Sequence, residues 1–383
     1  MDPFTLGIIS IAIIIALVFL GVRVAFAAGF VGVLGLILLR GWNAGGGMAG
    51  LTAHAETAHY TLSVLPMFIL IGFLAYYAGL TQGAFRSARA WFGWMPGGLA
   101  VATVFATAGF AAVSGASTAT AAVFSRVAIP EMLKYGYERR LAAGVVAAGG
   151  TLASLIPPSA ILVIYAIIVE ESVGALLLAG FIPGAVSALI YMGIVVLRCS
   201  INPALGRPVR GISWNERFNS IPGMLPIVAV IVIILGGIYT GVMTPTETGA
   251  VGAALIFFMA IGRRVIFGSG MTVTDFKDAM LETGKLTVMI FTIIWGVLIY
   301  VRFLGYTGLT TAFADWIVSL DMHRLVIMIL ILCVYIVLGM FMDGIGMLLL
   351  TLPVVHPAVT ALGYDPVWFC LLYTSDAADE IVR

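Results

Sequence analysis

The chain has 383 residues, of which 62% are hydrophobic and only 10% are charged, with a net charge of +1. Soluble globular domains carry about 25% charged residues, so the composition excludes a soluble globular protein and predicts an all-α, polytopic membrane protein. The near-zero net charge gives no sign of nucleic-acid binding. The three cysteines have no CxxC spacing, which predicts neither a disulfide framework nor a zinc site.

Apolar runs close to the roughly 20 residues needed to cross a bilayer recur along the whole chain. The first run lacks a basic start and a cleavage site, so we expect a retained helix rather than a signal peptide. Together the runs predict about ten transmembrane or re-entrant segments. They lie at about 4–21, 24–39, 62–80, 97–125, 141–169, 173–197, 224–243, 247–267, 285–304 and 325–350.

Two of these apolar runs are interrupted at membrane depth. The first interruption is a hydroxyl- and glycine-rich patch at 114–120, called here the serine-rich break. A proline pair at 157–158, followed by Ser159, must free backbone carbonyls within one run. In hydrocarbon, freed groups survive only where protein, water or an ion satisfies them. Paired breaks form substrate and cation sites in many secondary transporters, although a kinked helix packed through small residues is the alternative. The breaks therefore predict these substrate contacts: Ser114, Gly115, Ser117, Thr118 and Ser159.

Basic loops indicate which ends of the spans face the cytoplasm. Four basic residues lie between Arg126 and Arg140, and the proline-interrupted segment 198–222 is also polar and basic. The positive-inside rule places both on the cytoplasmic side, and we interpret 198–222 as a linker. Arg302 lies near the end of its run, where it could pair with a substrate carboxylate or reach the lipid headgroups. Glu247 is predicted to cap a helix with Thr244.

Two halves of the chain are related in sequence. The segment PEMLKYGYE, which begins at Pro130, recurs as PAVTALGYD from Pro357, and the Gly-Leu-Thr at Gly79 recurs at Gly308. The loop of the first copy is basic, whereas 341–368 contains no Lys or Arg. Matching loops that face opposite compartments predict an inverted-topology repeat.

The repeat also places an acidic residue within an apolar segment. The counterpart of the serine-rich break is MDGIG at 342–346, which contains Asp343 and Gly344. An ionisable residue inside a membrane segment is a functional candidate, so we predict that both residues contact substrate. The alternative is that Asp343 lies at the end of a span and faces water.

Four motifs in this chain together resemble the large membrane subunit of the tripartite ATP-independent periplasmic (TRAP) transporters, within the ion-transporter superfamily. The resemblance covers essentially 1–369. The motifs that carry it are Ser114 to Thr120 followed by IPEM at 129–132, AAGGTLASLIPPS at 147–159, TPTETG at 244–249, and MDG at 342–344.

The resemblance implies a sodium-driven, elevator-type carrier with two helical hairpins, whose tips would correspond to the regions of Ser114 and Asp343. It would lie in the bacterial inner membrane, among lipid. It would import small organic acids such as C4-dicarboxylates or sugar acids. Its implied partners are a small four-helix membrane subunit and a periplasmic substrate-binding protein. Na⁺ is the implied coupling ion, with no organic cofactor.

The family's first sodium site carries over, by resemblance, to Ser114, Ala116, Ala153, Leu155 and Pro158. This chain departs from the family pattern at Ala116 and Ala153, where a serine and a glycine are expected. Backbone carbonyl ligands tolerate such changes, whereas a lost serine hydroxyl would weaken the site or move its role to Ser117.

The chain is therefore expected to divide into a first repeat with a hairpin and a broken helix at 1–197, the linker at 198–222, and an incomplete second repeat at 223–369. The closing segment 370–383 resembles translated adapter sequence and is expected to be a non-native tail on a truncated frame. Two alternatives stay open. An intramembrane serine hydrolase would use Ser114 or Ser117 but lacks a histidine base in its spans. An ion channel would need a ring of polar residues from an oligomer.

Overall fold

The structure is a computed structural model and describes residues 2–58, 60–209, 211–268, 270–320, 322–339 and 344–380. Every regular element within these ranges is a helix, which confirms the predicted all-α class. In chain order the α-helices are α1 Pro3–Phe19, α2 Val24–Thr57, α3 Val64–Tyr77, α4 Leu80–Phe92, α5 Gly98–Ser114, α6 Ser117–Lys134, α7 Arg139–Leu155, α8 Ala160–Ile168, α9 Val173–Ile201, α10 Trp214–Ser220, α11 Leu225–Tyr239, α12 Pro245–Phe267, α13 Val273–Thr307, α14 Leu309–Ser319, α15 Arg324–Gly339, α16 Gly344–Ala361 and α17 Pro366–Glu380.

The helices of the described residues confirm a polytopic membrane protein. Seven are long and apolar enough to cross a bilayer, or up to eight if α10 and α11, which meet at a bend of 49°, count as one span. Three further apolar helices, α1, α5 and α15, are shorter than a full crossing. A helix of 16 or 17 residues lies near the lower limit for a crossing, so the figure of about ten segments stays a prediction.

The chain forms two compact units. The first contains 1–62 and 286–380, and the second contains 63–285. In the first unit, α2 and α13 pack closely because Gly32 has no side chain: a Cβ there would lie 2.8 Å from the backbone nitrogen of Tyr300. The hydroxyl of Tyr300 is 3.0 Å from Ser10 Oγ on α1. The predicted division at 197, 222 and 369 concerns sequence repeats and stays a prediction.

The two repeats share the same turns. Glycines with a left-handed backbone begin α4 and α14, at Gly79 (φ 73°) and Gly308 (φ 70°). Gly136 and Gly363, which follow α6 and α16, both have φ 77°. Only glycine adopts this conformation without strain, so a shared backbone explains why the glycines recur in both copies. The opposite orientation of the copies stays a prediction.

The segment predicted as a linker, 198–222, packs within the second unit. Tyr137 in the α6–α7 turn accepts a hydrogen bond from Leu99 N (3.1 Å) and donates one to Arg207 O (3.0 Å). Burial raises the pKa of Tyr137 to about 12. These contacts tie the segment after α9 to the start of α5, and α10 then begins with a capping box formed by Ser213 and Glu216.

Candidate substrate and cation site

The serine-rich patch forms a sharp turn between two helices. Helix α5 ends at Ser114, and Gly115 follows with a left-handed backbone (φ 61°). Ala116 is extended, and α6 begins at Ser117. The first predicted break is therefore a two-residue connection that joins the C-terminus of α5 to the N-terminus of α6.

The proline pair breaks a second helix outright rather than kinking it. Helix α7 ends at Leu155, Ile156 is extended, and α8 begins after Ser159. Ser159 caps α8, because its hydroxyl accepts a hydrogen bond from Leu162 N (3.4 Å) and donates one to Ser154 O (2.6 Å). A capping serine satisfies one of the backbone donors that a helix start leaves unpaired. The backbone thus leaves the helical conformation over residues 156–159.

The two breaks lie directly against each other. Ala160 N, the first residue of α8, donates a 3.1 Å hydrogen bond to Gly115 O in the turn between α5 and α6. The approach is so close that a Cβ at Gly115 would overlap Pro158 O. The glycine is required twice, for its backbone conformation and for this contact. Both breaks were predicted from the sequence, whereas this contact of Gly115 was not.

Four helix ends therefore meet in one place. The N-termini of α6 and α8 carry partial positive charge and the C-termini of α5 and α7 carry partial negative charge. N-terminal backbone N–H groups suit a carboxylate, and C-terminal carbonyls suit a cation. Within the described part of the chain no group of three His, Cys, Asp or Glu side chains could hold a metal. A cation here would therefore be held by hydroxyl and carbonyl oxygens.

The hydroxyl groups next to the turn are already hydrogen bonded within the protein. Ser114 Oγ shares a 2.8 Å hydrogen bond with Thr120 Oγ1. Ala116 O in turn accepts hydrogen bonds from Thr120 Oγ1 (2.9 Å) and Thr120 N (3.0 Å). Thr120 thus holds the turn closed from the first turn of α6.

Burial separates the predicted site residues into an enclosed group and an accessible group. Ser117 is half-buried and Thr118 is exposed, so of the hydroxyls named as substrate contacts these two are within reach of a solute. Among the predicted site residues of the second compact unit, the others are buried, except Ala116 at an intermediate exposure. The buried members in this unit are Ser114, Gly115, Ala153, Leu155, Pro158 and Ser159.

Helix α9 packs against the break in α7. A Cβ at Gly180 would lie 2.6 Å from Leu155 O, and a Cβ at Gly184 would lie 2.6 Å from Ile156 Cγ1. The carbonyl of Leu155 therefore lies against α9, whereas that of Pro158 lies against Gly115. Each of these two carbonyls, both predicted to bind sodium, therefore lies close to a glycine: Leu155 O to Gly180 on α9, and Pro158 O to Gly115.

The remaining candidates belong to other parts of the chain. Gly344 is the first residue of α16 in the first compact unit, where its carbonyl accepts a 2.7 Å hydrogen bond from Tyr373 Oη. Asp343 lies outside the described residues. Arg302 lies on α13 in the same unit as Gly344 and is exposed.

The predicted role of Glu247 as a helix cap is confirmed. Its carboxylate accepts a hydrogen bond from Thr244 N (2.8 Å), and Glu247 N donates one to Thr244 Oγ1 (3.3 Å). The two residues form the capping box at the start of α12. The charge is thereby explained by helix capping.

Known proteins match nearly the whole chain. A C4-dicarboxylate TRAP transporter large permease from Pseudomonas aeruginosa is 36% identical over 311 residues, which are 81% of this chain and 71% of the relative. A C4-dicarboxylate TRAP large permease from Vibrio cholerae is 33% identical over 374 residues, covering 93% and 81%. The sialic acid TRAP large permease of the same species is 30% identical over 355 residues, with the same coverage.

The family described as "Tripartite ATP-independent periplasmic transporter, DctM component" matches residues 11–376. This range includes both breaks and both copies of the repeat. The match confirms the resemblance derived from the four sequence motifs, and with it a transport function rather than an enzymatic one. The chain belongs to the DctM family of TRAP transporter large permeases and is a protein of the inner membrane.

Proposed function

We propose that this chain is the sodium-coupled permease that imports small organic acids. A periplasmic binding protein delivers the substrate, and a small four-helix membrane subunit completes the assembly. The observation that supports this proposal best is the contact between Gly115 in the first break and Pro158 in the second. This contact brings four helix ends together within one compact unit. The helix ends supply both backbone N–H groups for an anion and backbone carbonyls for a cation.

The chemistry of the site favours an anionic substrate. The N-termini of α6 and α8 present backbone donors, and an anion at a helix N-terminus gains typically 0.3–1 kcal/mol from the dipole, or about 2 kcal/mol where it is partly buried. The relatives are named for C4-dicarboxylates and sialic acid, which are carboxylates. We expect a C4-dicarboxylate or a sugar acid here, held at the accessible Ser117 and Thr118 hydroxyls.

Sodium is the proposed coupling ion because the C-termini of α5 and α7 supply carbonyl oxygens beside the same turn. The ligand set of this proposal consists of Ser114, Ala116, Ala153, Leu155 and Pro158. Bound Na⁺ would neutralise the partial negative charge of these helix ends and fix the turn next to the substrate donors. Ion binding would thereby strengthen substrate binding, which is what coupling requires. An elevator-type movement of the site across the membrane is part of the proposal.

The competing functions have less support. A serine hydrolase would need a base beside Ser114, but the hydroxyl of Ser114 is hydrogen bonded to Thr120. An ion channel would need a polar ring contributed by an oligomer, whereas here the polar groups of one chain gather at two dissimilar breaks.

The test is uptake by proteoliposomes that contain the chain, its small subunit and the matching binding protein, with each component omitted in turn. Labelled C4-dicarboxylates and sugar acids are offered with and without a sodium gradient. We expect uptake only when all three proteins and sodium are present. Uptake that continues without sodium would refute the coupling, and uptake without the binding protein would refute the delivery route.

A matched pair of serine variants then tests the site itself. Ser114→Ala removes a hydroxyl at the break, whereas Ser125→Ala removes one that bonds only to Ala122 O within α6 (2.7 Å). We expect the sodium concentration for half-maximal uptake to rise about tenfold for Ser114→Ala, the equivalent of about 1.4 kcal/mol. Ser125→Ala should match the wild type. If both variants need the same sodium concentration for half-maximal uptake, Ser114 is not a sodium ligand.

A further inference from the structure

A cavity of about 370 Å³ lies between α5, α7 and α9 in the second compact unit. Its volume is within the range of about 300–1,000 Å³ that small-molecule sites typically have. The walls are apolar and include Val104, Val145 and Val195. Two basic residues, Arg140 and Arg198, line it as well. A cavity with this lining suits a molecule that has a polar anionic end and an apolar body.

The cavity exists because α7 presents small residues to its neighbours. Gly144 and Ala148 lie one helical turn apart on the wall formed by α7. A Cβ at Gly144 would meet no atom within 4 Å. Nothing in the packing requires glycine at this position, in contrast to Gly115. The open space can therefore be filled by mutation without displacing the backbone.

The cavity lies where a membrane span meets water. Arg140 is the second residue of α7, and Arg198 lies in the last turn of α9. Helix α9 is long and apolar enough to cross a bilayer, as is the broken span Arg139–Ile168 that α7 and α8 form together. Since the loops at this end are basic, the positive-inside rule assigns it to the cytoplasmic face. On α9 the apolar side chains beside the cavity are open: Ile194 is 49% exposed and Leu197 is 61% exposed.

The charges at the cavity favour an anion. In the ranges that the structure describes, neither Arg140 nor Arg198 forms an ion pair. One carboxylate, that of Glu138, also lines the cavity, so the three ionised groups sum to one positive charge. A guanidinium binds a phosphate through two parallel hydrogen bonds. Basic pockets between helices at the cytoplasmic side are suited to anionic lipid headgroups.

We propose that this cavity binds an anionic phospholipid of the inner leaflet. The phosphate lies between Arg140 and Arg198, and an acyl chain follows the exposed apolar face of α9. A lipid is favoured over a soluble anion because Ile194 and Leu197, beside the cavity, are exposed apolar side chains on a helix long and apolar enough to cross a bilayer. The site is separate from the candidate substrate site: Leu155 is 15 residues beyond Arg140 on α7, about 22 Å at 1.5 Å per residue.

Lipid binding is measured on the purified, delipidated full-length chain in detergent, by native mass spectrometry. Phosphatidylglycerol is titrated against phosphatidylcholine. We expect phosphatidylglycerol to bind more tightly. An arginine near an anionic headgroup contributes about fivefold in affinity, so Arg140→Gln and Arg198→Gln should each lose about fivefold and the double variant about 25-fold. Arg139→Gln is the matched control, because Arg139 is exposed but does not line the cavity.

Filling the cavity gives a second, charge-independent test. Gly144→Leu should abolish the preference for phosphatidylglycerol while both arginines remain. Gly262→Leu is its control, since a Cβ at Gly262 on α12 also meets no atom within 4 Å but that residue is not part of the cavity wall. If Gly144→Leu unfolds the protein, the arginine variants still decide the question.

Several outcomes would overturn the proposal. Equal affinity for the two lipids would show that the headgroup charge plays no part in binding. A loss of affinity in Arg139→Gln as large as that in Arg140→Gln would show that the surface potential, not the cavity, attracts the lipid. Displacement of phosphatidylglycerol by millimolar inorganic phosphate would indicate a site for a soluble anion. Loss of lipid binding when the small subunit is added would indicate that a protein helix occupies this face.

Discussion

The contact between Gly115 and Pro158 leads to the sharpest prediction. Gly115→Ala introduces a Cβ at a residue with φ 61°, where an L-amino acid costs about 1–2 kcal/mol. The same Cβ would overlap Pro158 O and lie 3.2 Å from Pro158 C. Restoring van der Waals distance requires the proline carbonyl to shift by about 1 Å. The substitution therefore strains the turn and moves a proposed sodium ligand.

Gly136 provides a control that separates the two effects. It has φ 77°, so Gly136→Ala suffers the same backbone strain, but a Cβ there would meet no atom within 4 Å. Gly136→Ala should lose about 1–2 kcal/mol of unfolding free energy from backbone strain alone, and Gly115→Ala should lose more because of the added overlap with Pro158 O. Only Gly115→Ala should lose transport as well, because displacing a positioned group by about 1 Å can reduce activity by up to about 100-fold.

The measurement is sodium-dependent uptake in proteoliposomes, normalised to the folded protein, together with thermal unfolding in detergent. We expect uptake by Gly115→Ala to fall at least about tenfold below that of Gly136→Ala. Equal uptake by the two variants would refute the assignment of the site to the meeting of the two breaks. A much larger loss of stability in Gly136→Ala would refute the strain estimate instead.

Two further predictions concern hydrogen bonds that hold the second unit together. Tyr137→Phe leaves Leu99 N and Arg207 O without their partner, so we expect a loss of about 1–3 kcal/mol in denaturant unfolding. Because burial raises the Tyr137 pKa from 10.0 to about 12, the wild type should lose this advantage as the pH rises from about 10 to about 12, whereas the variant should show no such loss. Thr120→Val removes the hydroxyl that bridges the turn after α5 and should raise the sodium concentration needed for half-maximal uptake. Thr107→Val is the control, because the hydroxyl of Thr107 bonds only within α5, and it should leave that concentration unchanged. Equal effects of the two variants would contradict this role of Thr120.

The sequence predicted the local features of the site correctly because their causes are local. A proline pair cannot continue a helix wherever it lies, and the structure places the break at 156–159. The Thr244–Glu247 capping box likewise depends on residues three apart. The repeat was detectable because its two copies need glycine at the same turns, such as Gly136 and Gly363.

The contacts between distant segments could not be predicted in the same way. The hydrogen bond from Ala160 N to Gly115 O joins residues 45 positions apart. Neither segment contains a sequence pattern that predicts contact with the other. The cavity beside Arg140 and Arg198 was missed for the same reason. In the sequence, each arginine alone indicates only a cytoplasmic end of a span. The packing of α7 on α9 is what brings the two arginines to one cavity.

The hydrogen bonds around the turn also decide which oxygens remain for a cation. Ala116 O already accepts two hydrogen bonds from Thr120, which occupy both lone pairs of a carbonyl. In this arrangement the proposed sodium ion would depend mainly on Ser114 and on the carbonyls of Ala153, Leu155 and Pro158, rather than on Ala116. A carbonyl ligand does not depend on the side chain that carries it. Alanine at 116 and 153, where the family pattern has serine and glycine, is therefore compatible with a sodium site at this break.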